Sequence, residues 1–283
     1  MDPGASSKMA FVLGGGGVLG AHEVGMLRAL AESSVVPDVI LGTSIGAVNG
    51  ALFAADPTVE GVTQLTRLWL ESNLTEMNAA GLLRRAGTLA RTRTHVQSLT
   101  EIRERLVRAL PVGRVEELRI PFQCVAASIE RAAEHWFDSG DLADVVLASC
   151  AVPGVLPPVK IGDEHFIDGG IVNSIPVARA VALGARTIYV LQVGRVETAL
   201  APPRWPWEVG LVAFEVARRH RFAHDLHSLP EGVELRVLPT GGSAAPAYND
   251  VAGQLRYRRI ARTVKRQIES SYEASQEYLR DHR

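Results

Sequence analysis

The chain has 283 residues, of which 47% are hydrophobic and 22% charged, a balance that excludes a disordered or fibrous protein and suits one large globular domain. Its formal net charge of −1 excludes a strong overall electrostatic field that would attract nucleic acid. The two cysteines, Cys124 and Cys150, are too few for a disulfide framework and favour a reduced, cytoplasmic compartment. Since the start is polar and no apolar run reaches ~18 residues, we expect neither a secretory signal nor a membrane span.

The first part of the chain alternates short apolar runs with helical patterns. Met9–Leu13 is apolar and ends in four glycines, which predicts a buried strand and a turn, and Val18–Ala31 predicts the helix that follows. Val39–Leu41 predicts a second buried strand. The apolar stretch Ser44–Ala55 is too long for a strand and stops at Asp-Pro, which predicts a buried helix. An amphipathic helix is expected over Thr58–Glu71.

The rest of the chain continues this alternation. The predicted helices are Leu99–Leu110, Leu142–Cys150, Ile175–Leu183, Val209–Leu226 and a long charged helix from Val251 onward. The predicted strands are Phe122–Ile129, Glu134–Phe137, Thr187–Val193 and Val233–Leu238. Strands that alternate with helices indicate an α/β fold with a mostly parallel central sheet and helices on both faces, and we expect residues 1–283 to form one domain.

The turn between the second strand and its helix carries a candidate nucleophile. Gly42–Gly46 reads Gly-Thr-Ser-Ile-Gly and matches the G-x-S-x-G pattern, in which a serine on a tight strand-to-helix turn projects its Oγ above the sheet. The flanking glycines remove Cβ atoms that would clash there. Ser44 is therefore the candidate nucleophile. The alternative is an ordinary glycine-bounded turn with a helix-capping serine.

The glycine run before the first helix is a candidate anion site. Consecutive glycines at Gly14–Gly17 allow several backbone N–H groups to converge on one point, as stabilisation of an oxyanion requires. Gly15, Gly17 and Gly20 also fit the dinucleotide pattern G-x-G-x-x-G. That alternative needs an acidic residue at the end of the second strand, whereas Asp38 precedes the strand. A plain packing turn is the other alternative.

A nucleophilic serine needs a base, and none of the eight histidines stands in a convincing motif. His220, His224 and His227 share one helix face, and we interpret them as a solvated face rather than a metal site. Asp168 is the better candidate, because it follows an apolar pair and precedes two glycines that allow close backbone approach. Shielding from solvent would raise the pKa of its carboxyl and strengthen it as a base. The alternative is an ordinary Asp-Gly hairpin turn.

Taken in order, these segments resemble the patatin-like phospholipases. The resemblance rests on Gly15–Gly20, Gly42–Gly46 and Asp168–Gly170, and on the small-residue and proline segment Ala148–Pro158 before the aspartate. It covers about residues 11–193. Residues 194–283 carry no family motif that we identify, and we expect them to be a C-terminal extension of the same domain.

The resemblance implies a Ser–Asp dyad. Ser44 would be the nucleophile, Asp168 the proton acceptor, and the backbone N–H groups of Gly15, Gly16 and Gly17 the oxyanion hole. It implies hydrolysis of ester bonds in phospholipids, lysophospholipids or related glycerolipids through an acyl-enzyme, with no cofactor and no metal. Many members carry Arg or Lys where this chain has Leu19, which weakens the expectation of a preference for anionic head groups.

Two other functions fit parts of the pattern. An α/β-hydrolase esterase with a histidine triad would place its oxyanion loop further upstream of the serine and would carry a histidine before the glycines. A catalytically silent lipid-binding protein could use the same scaffold. Intact Ser44, Asp168 and glycine loop argue against this second alternative.

The expected partner is a lipid or acyl-ester substrate, without nucleic acid. Peripheral membrane contact is a further expectation, beside the cytoplasmic location. Two stretches could form a lipid-facing rim: Leu74–Leu89, and Trp205–Phe214 with the arginines Arg218, Arg219 and Arg221 after it. The alternative is that both stretches pack on the core.

Overall fold

The computed structural model describes residues 8–71, 98–193, 199–241 and 261–282. The strands are β1 Met9–Leu13, β2 Val39–Thr43, β3 Phe122–Ser128, β4 Ala133–Phe137, β5 Val159–Ile161, β6 Glu164–Asp168, β7 Thr187–Leu191 and β8 Glu234–Val237. The helices are α1 Ala21–Glu32, α2 Ile45–Ala55, α3 Val59–Glu71, α4 Leu99–Ala109, α5 Leu142–Ser149, α6 Val177–Ala182, α7 Pro206–His227 and α8 Ala261–Asp281. Short 3₁₀ turns span Gly17–Gly20, Val115–Glu117 and Gly169–Ile171.

The eight strands of the described residues form one sheet, with the order β5-β6-β3-β2-β1-β7-β8 and with β4 paired to β3. The five strands from β3 to β8 along this order run parallel, while β4, β5 and β6 add antiparallel pairs at the other end. The predicted α/β fold with a mostly parallel central sheet is confirmed.

The alternation of side chains along β1 explains why helices cover both faces of the sheet. Phe11 and Leu13 lie in one buried cluster, together with apolar side chains of α1, α2, α3, α5 and α8. Ala10 and Val12 lie in a second cluster, together with side chains of α6 and Phe222 of α7. Because successive residues of a strand point to opposite faces, a wholly apolar strand such as β1 requires a helical layer on each side.

The predicted elements differ from the observed ones mainly at their ends. The helix predicted over Val18–Ala31 begins with a 3₁₀ turn and becomes α-helical at Ala21. The helix predicted from Val209 begins three residues earlier, where Pro206 occupies its first turn. The β5–β6 hairpin was not predicted. Residues 72–97 lie outside the described residues, as does the part of the last predicted helix that precedes Ala261.

The C-terminal region contributes to the same sheet and to the same core. Strand β8 pairs in parallel with β7, and α8 packs against α1. Gly25 permits this packing, because a Cβ there would overlap the carbonyl oxygen of Ile268, and Ser271 Oγ donates a hydrogen bond of 2.8 Å to the His22 carbonyl. These contacts favour one domain over residues 1–283, which stays a prediction.

Candidate active site

The pairing around β3 brings two distant chain segments end to end. Strand β3 pairs with β2, β4 and β6. The residues of β3 that pair with β4 also pair with either β2 or β6, so β4 occupies one edge of β3, and β2 and β6 share the other edge. Thr43, the last residue of β2, lies beside Val125, and Asp168, the last residue of β6, lies beside the next residue, Ala126. Because β6 runs antiparallel to β3, its end faces the end of β2, where Ser44 follows.

Ser44 lies on a strained turn between β2 and α2. Its φ of 54° and ψ of −122° belong to a region that residues with a side chain rarely adopt. Two glycines make the turn possible: a Cβ on Gly42 would lie 2.5 Å from the Ala47 Cα, and one on Gly46 would overlap the Leu13 carbonyl. The turn therefore needs both glycines of the G-x-S-x-G pattern for steric reasons.

Ser44 and Asp168 are joined by a short hydrogen bond, in which Ser44 Oγ donates to Asp168 Oδ2 over 2.6 Å. Both residues are nearly closed to solvent, with exposed fractions of 8% for Ser44 and 3% for Asp168. The other carboxylate oxygen accepts from the Gly170 N–H over 2.7 Å. A Cβ on Gly169 would overlap the Val125 carbonyl, so this glycine is needed where the chain leaves β6 beside β3. The Asp168 carboxylate is thus held in place, with one oxygen accepting from Ser44 Oγ and the other from the Gly170 N–H.

Burial sets the protonation behaviour of the site. Removal from water raises the pKa of Asp168 from 3.8 to about 6, although the hydrogen bonds from Ser44 and Gly170 lower it. The carboxylate is therefore a stronger base than an exposed aspartate and is still ionised at neutral pH. Burial also raises the pKa of the nearby Cys150 thiol well above its usual range, which keeps that thiol neutral and disfavours it as a nucleophile.

Polar groups that the sequence did not single out support the nucleophile turn. The Ser44 N–H donates to Ser149 Oγ over 2.9 Å, and Thr43 Oγ1 donates to the Asn173 carbonyl over 3.0 Å. Ser149 ends α5, within the small-residue segment that precedes Asp168. No spacing in the sequence identifies these partners, because they lie 105 and 130 residues from the residues that they bind.

The glycine loop, Gly14–Gly17, lies against Ser44, since a Cβ built on Gly15 would be 3.5 Å from the Ser44 Cβ. The Gly15 N–H donates to the Ser174 carbonyl over 3.0 Å. For the N–H groups of Gly16 and Gly17, the described residues provide no hydrogen-bond acceptor. The oxyanion hole of Gly15, Gly16 and Gly17 stays a prediction. Because the Gly15 N–H already donates to Ser174, the N–H groups of Gly16 and Gly17 are the two without a described acceptor.

A buried network holds the helix that follows the loop. Asn49 Nδ2 donates to the Gly20 carbonyl over 3.0 Å and to Glu23 Oε2 over 2.7 Å, while Trp69 Nε1 donates to Asn49 Oδ1 over 2.9 Å. Burial raises the pKa of the Glu23 carboxyl well above its usual range. The network ties α1, α2 and α3 together directly behind the glycine loop.

The histidines on α7 match the interpretation as a solvated face, because His220, His224 and His227 are all exposed. Across the described ranges, no group of three or more His, Cys, Asp or Glu side chains is placed to hold a metal ion. The same ranges contain no helix that is both long and apolar enough to cross a membrane.

Helix α7 packs against the turn that carries Asp168. A Cβ on Gly170 would lie 3.0 Å from the Phe214 ring, and Arg218 is buried beside the glycine loop. The burial of Arg218 favours the alternative in which this stretch packs on the core, whereas Trp205 is exposed, as a lipid-facing rim requires. Membrane contact at this stretch stays a prediction. The other expected rim, Leu74–Leu89, lies outside the described residues.

Comparison with protein families matches residues 11–181 to the family described as patatin-like phospholipase. The chain is 34% identical over 195 residues to patatin-like phospholipase domain-containing protein 7 of Rattus norvegicus, a match that covers 68% of this chain and 14% of that protein. It is 29% identical over 189 residues to lysophospholipase nte1 of Aspergillus terreus, which covers 67% of this chain and 12% of that protein. Each match thus spans a small part of a much longer relative.

Among solved structures, VipD from Legionella pneumophila aligns with a TM-score of 0.48 and 14% identity, covering 98% of this chain and 67% of that one. Human GIVD cytosolic phospholipase A2 aligns with a TM-score of 0.46 and 12% identity, covering 96% of this chain and 58% of that one.

Proposed function

Since the chain belongs to the patatin-like phospholipase family, we propose that it is a serine hydrolase that cleaves carboxylic esters of phospholipids, lysophospholipids or related glycerolipids. The observation that carries this proposal is the buried 2.6 Å hydrogen bond from Ser44 Oγ to Asp168 Oδ2, on a strained turn beside a glycine loop. Lysophospholipids are included because one relative is named a lysophospholipase.

In the proposed acylation step, Ser44 Oγ transfers its proton to Asp168 Oδ2 while it attacks the ester carbonyl carbon. The carbonyl oxygen becomes an oxyanion, which accepts hydrogen bonds from the N–H groups of Gly16 and Gly17. Collapse of this intermediate breaks the bond to the alcohol oxygen, and Asp168 returns the proton to that oxygen. The alcohol portion of the lipid leaves, and the acyl group stays on Ser44.

Deacylation repeats the sequence with water. Asp168 accepts a proton from a water molecule that attacks the acyl carbon, the second oxyanion collapses, and the proton returns to Ser44 Oγ. The free fatty acid leaves and the enzyme is restored. In both steps one carboxylate serves as base and then as acid, and water is the only other reactant besides the ester.

The alternatives make different demands on the site. A histidine-triad esterase needs an imidazole on the serine, whereas the partner of Ser44 Oγ here is a carboxylate, which supports the dyad. A silent lipid-binding protein has no use for a strained serine or for a buried carboxylate with a raised pKa, both of which reduce stability.

The proposed function is tested by a hydrolysis panel over phospholipid, lysophospholipid, monoacylglycerol and short p-nitrophenyl esters, with release of the acid measured for wild type and for Ser44→Ala. We expect wild type to release fatty acid from at least one lipid and Ser44→Ala to release none above background. Equal release by both proteins, or none by either, would contradict the proposal.

The pH dependence of hydrolysis should show the titration of Asp168. Because the carboxyl must be ionised to accept the serine proton, and its pKa is about 6, we expect kcat/KM on a soluble ester to fall below pH 6 and to level off above about pH 7. An unperturbed aspartate would move this limb down to about pH 4. The measurement is a pH–rate profile from pH 4 to 9, with folding checked by circular dichroism at each pH, and a flat profile between pH 5 and 7 would contradict the assignment.

We also propose peripheral membrane contact through the outer face of α7. Val209 and Val216 are 55% and 54% exposed and lie two turns apart on one face, whereas the three acidic residues of the helix, Glu208, Glu215 and Asp225, are all buried. The solvent side of this helix thus displays apolar and histidine side chains and the half-exposed Arg221, without an exposed carboxylate of the helix itself. Such a face suits a lipid surface close to the site.

A negative charge on this face should therefore affect activity on lipid vesicles and activity on a soluble ester differently. We expect Val216→Glu to lower activity on anionic phospholipid vesicles by about tenfold or more, while activity on a soluble short-chain ester stays within about twofold. Val36→Glu is the matched control, because Val36 is as exposed but precedes β2, at the opposite end of that strand from Ser44. Equal vesicle activity in the two variants would contradict the proposed contact.

The cytoplasmic location also stays a proposal. Both cysteines are free, which suits a reducing compartment.

A further inference from the structure

A buried ion pair on α7 lies next to the glycine loop. Arg218 Nη2 contacts Glu215 Oε2 over 3.0 Å, and the exposed fractions of the two side chains are 5% and 3%. Arg219, which is less buried, contacts the same carboxylate oxygen over 3.2 Å. A buried ion pair often contributes little to stability, because both charges lose their hydration. Stability alone is therefore a weak reason for Arg218 to be buried at this point.

The other end of the Arg218 guanidinium faces the loop. Nη1 lies 3.5 Å from the Gly15 carbonyl oxygen, at the long end of the hydrogen-bond range, and attraction between the charge and the carbonyl dipole persists at that distance. The N–H on the other side of Gly15 is held by the Ser174 carbonyl. Gly15 is thus fixed from both of its peptide units.

The geometry of the peptide unit transmits this contact to the site. The Gly15 carbonyl and the Gly16 N–H belong to one planar trans peptide, so the N–H points away from the carbonyl oxygen and hence away from Arg218. A peptide between two glycines has little intrinsic preference for one orientation, because neither residue has a Cβ to restrict its backbone angles. An external contact is needed to select the orientation that reaction requires.

We propose that Arg218 is a positioning residue that orients the Gly15–Gly16 peptide so that the Gly16 N–H donates to the oxyanion formed at Ser44. This inference rests on the proposed hydrolase function. Glu215 holds the guanidinium in place, and the positive charge beside the Gly15 oxygen polarises the peptide and makes the Gly16 N–H a stronger donor. Arg218 acts on the tetrahedral intermediate and on the transition states beside it, because the negative charge on the oxygen develops there and is absent from the bound ester.

The test compares Arg218→Met with Arg219→Met. Each variant removes one cation from Glu215 and leaves the other, but only Arg218→Met removes the contact with the Gly15 carbonyl. On a soluble short-chain ester, we expect Arg218→Met to lower kcat by about 10- to 100-fold, somewhat less than the loss of a whole oxyanion donor, with KM within about threefold. Arg219→Met should stay within about threefold in both parameters. Arg218→Lys, which keeps the charge, should fall between wild type and Arg218→Met.

Two inhibitors separate positioning from a merely structural role. A trifluoromethyl ketone analogue adds to Ser44 and forms an oxyanion, whereas a non-hydrolysable ether analogue of the ester does not. We expect Arg218→Met to lower the affinity of the ketone analogue in proportion to its loss of kcat and to leave the affinity of the ether analogue unchanged.

Parallel losses of affinity for both analogues, or the same kinetics in Arg218→Met and Arg219→Met, would overturn the inference. If Arg218→Met does not fold, Arg218→Lys decides the question with the same two inhibitors: selective weakening of the ketone supports the inference, and unchanged kcat overturns it. Lack of ester hydrolysis by the wild-type protein would contradict the proposed function instead, so the two failures are distinguishable.

Discussion

Asp168→Asn is expected to abolish ester hydrolysis and to stabilise the folded protein above pH 6. The amide cannot accept the Ser44 proton, so kcat should fall by about 10³-fold or more, and combining Asp168→Asn with Ser44→Ala should add little. Folding raises the pKa of this carboxyl from 3.8 to about 6, which favours its protonated form. The associated stabilisation is present below about pH 4 and is lost as the pH rises through 6, leaving the ionised form about 3 kcal/mol less favourable.

Asparagine avoids this loss, because it is neutral, still accepts from the Gly170 N–H and can donate to Ser44 Oγ. Denaturant unfolding at pH 5 and pH 8 should therefore show a stability advantage of Asp168→Asn over wild type that grows with pH. The matched control is Asp163→Asn, an exposed position in the turn before β6, which should change neither activity nor stability appreciably. Activity retained in Asp168→Asn would reject this carboxylate as the base.

Gly16→Val should lower kcat by about 10²-fold or more, the scale of losing one oxyanion-hole donor. The structure supplies the reason, because a Cβ on Gly16 would overlap a methyl group of Val193, a buried side chain that follows β7. Either the buried Val193 side chain or the loop must shift to relieve this overlap, and the two methyl groups of the introduced valine add to it; a shift of the loop displaces the N–H of Gly16. The measurement is kcat and KM on a soluble ester, together with the melting temperature.

Gly113→Val is the matched control for this substitution. Gly113 is exposed, and the nearest atom to a Cβ there is the Glu117 carboxylate oxygen at 4.0 Å. It should retain normal turnover. A folded Gly16→Val protein with near-normal kcat would remove Gly16 from the oxyanion hole and leave Gly17 as the remaining candidate.

The local geometry of the site could be predicted because it depends on glycines that have no substitute. The turn that holds Ser44 at positive φ needs Gly42 and Gly46, because a Cβ at either position would overlap neighbouring backbone atoms. Gly169 is needed in the same way, because a Cβ there would overlap β3 where the chain leaves β6. Such requirements act over a few residues, so they leave a readable pattern. The alternation of apolar strands and helices predicted the layers of the fold for the same reason.

The partnership of Ser44 with Asp168 is beyond the reach of residue patterns alone. The two residues are 124 positions apart and meet because β2 and β6 end at neighbouring residues of β3. This is a property of strand register, and the short β5–β6 hairpin that creates it gives only a weak apolar pattern. The family resemblance supplied the pairing that periodicity could not.

The burial of Arg218 could not be predicted from the sequence, for a physical reason. Arg218, Arg219 and Arg221 follow one another in a polar stretch, which usually indicates a solvated face. Glu215, one turn earlier, forms a buried pair with Arg218, and burial of a charge becomes acceptable once it is paired. Likewise, the bond from the Gly15 N–H to Ser174 depends on a segment far along the chain, so the loop's free donors could not be counted from its glycines.

The central claim is that an acyl group is transferred to Ser44, and the most direct measurement is detection of that intermediate. The wild-type protein is incubated with the lipid ester that it hydrolyses fastest, carrying an isotope-labelled acyl chain, and is quenched in acid, digested and analysed by mass spectrometry. The account predicts the mass of the labelled acyl group on the peptide that contains Ser44, and its absence in Ser44→Ala. Release of labelled fatty acid that is undiminished in Ser44→Ala, or an acyl group found on another residue, would contradict it.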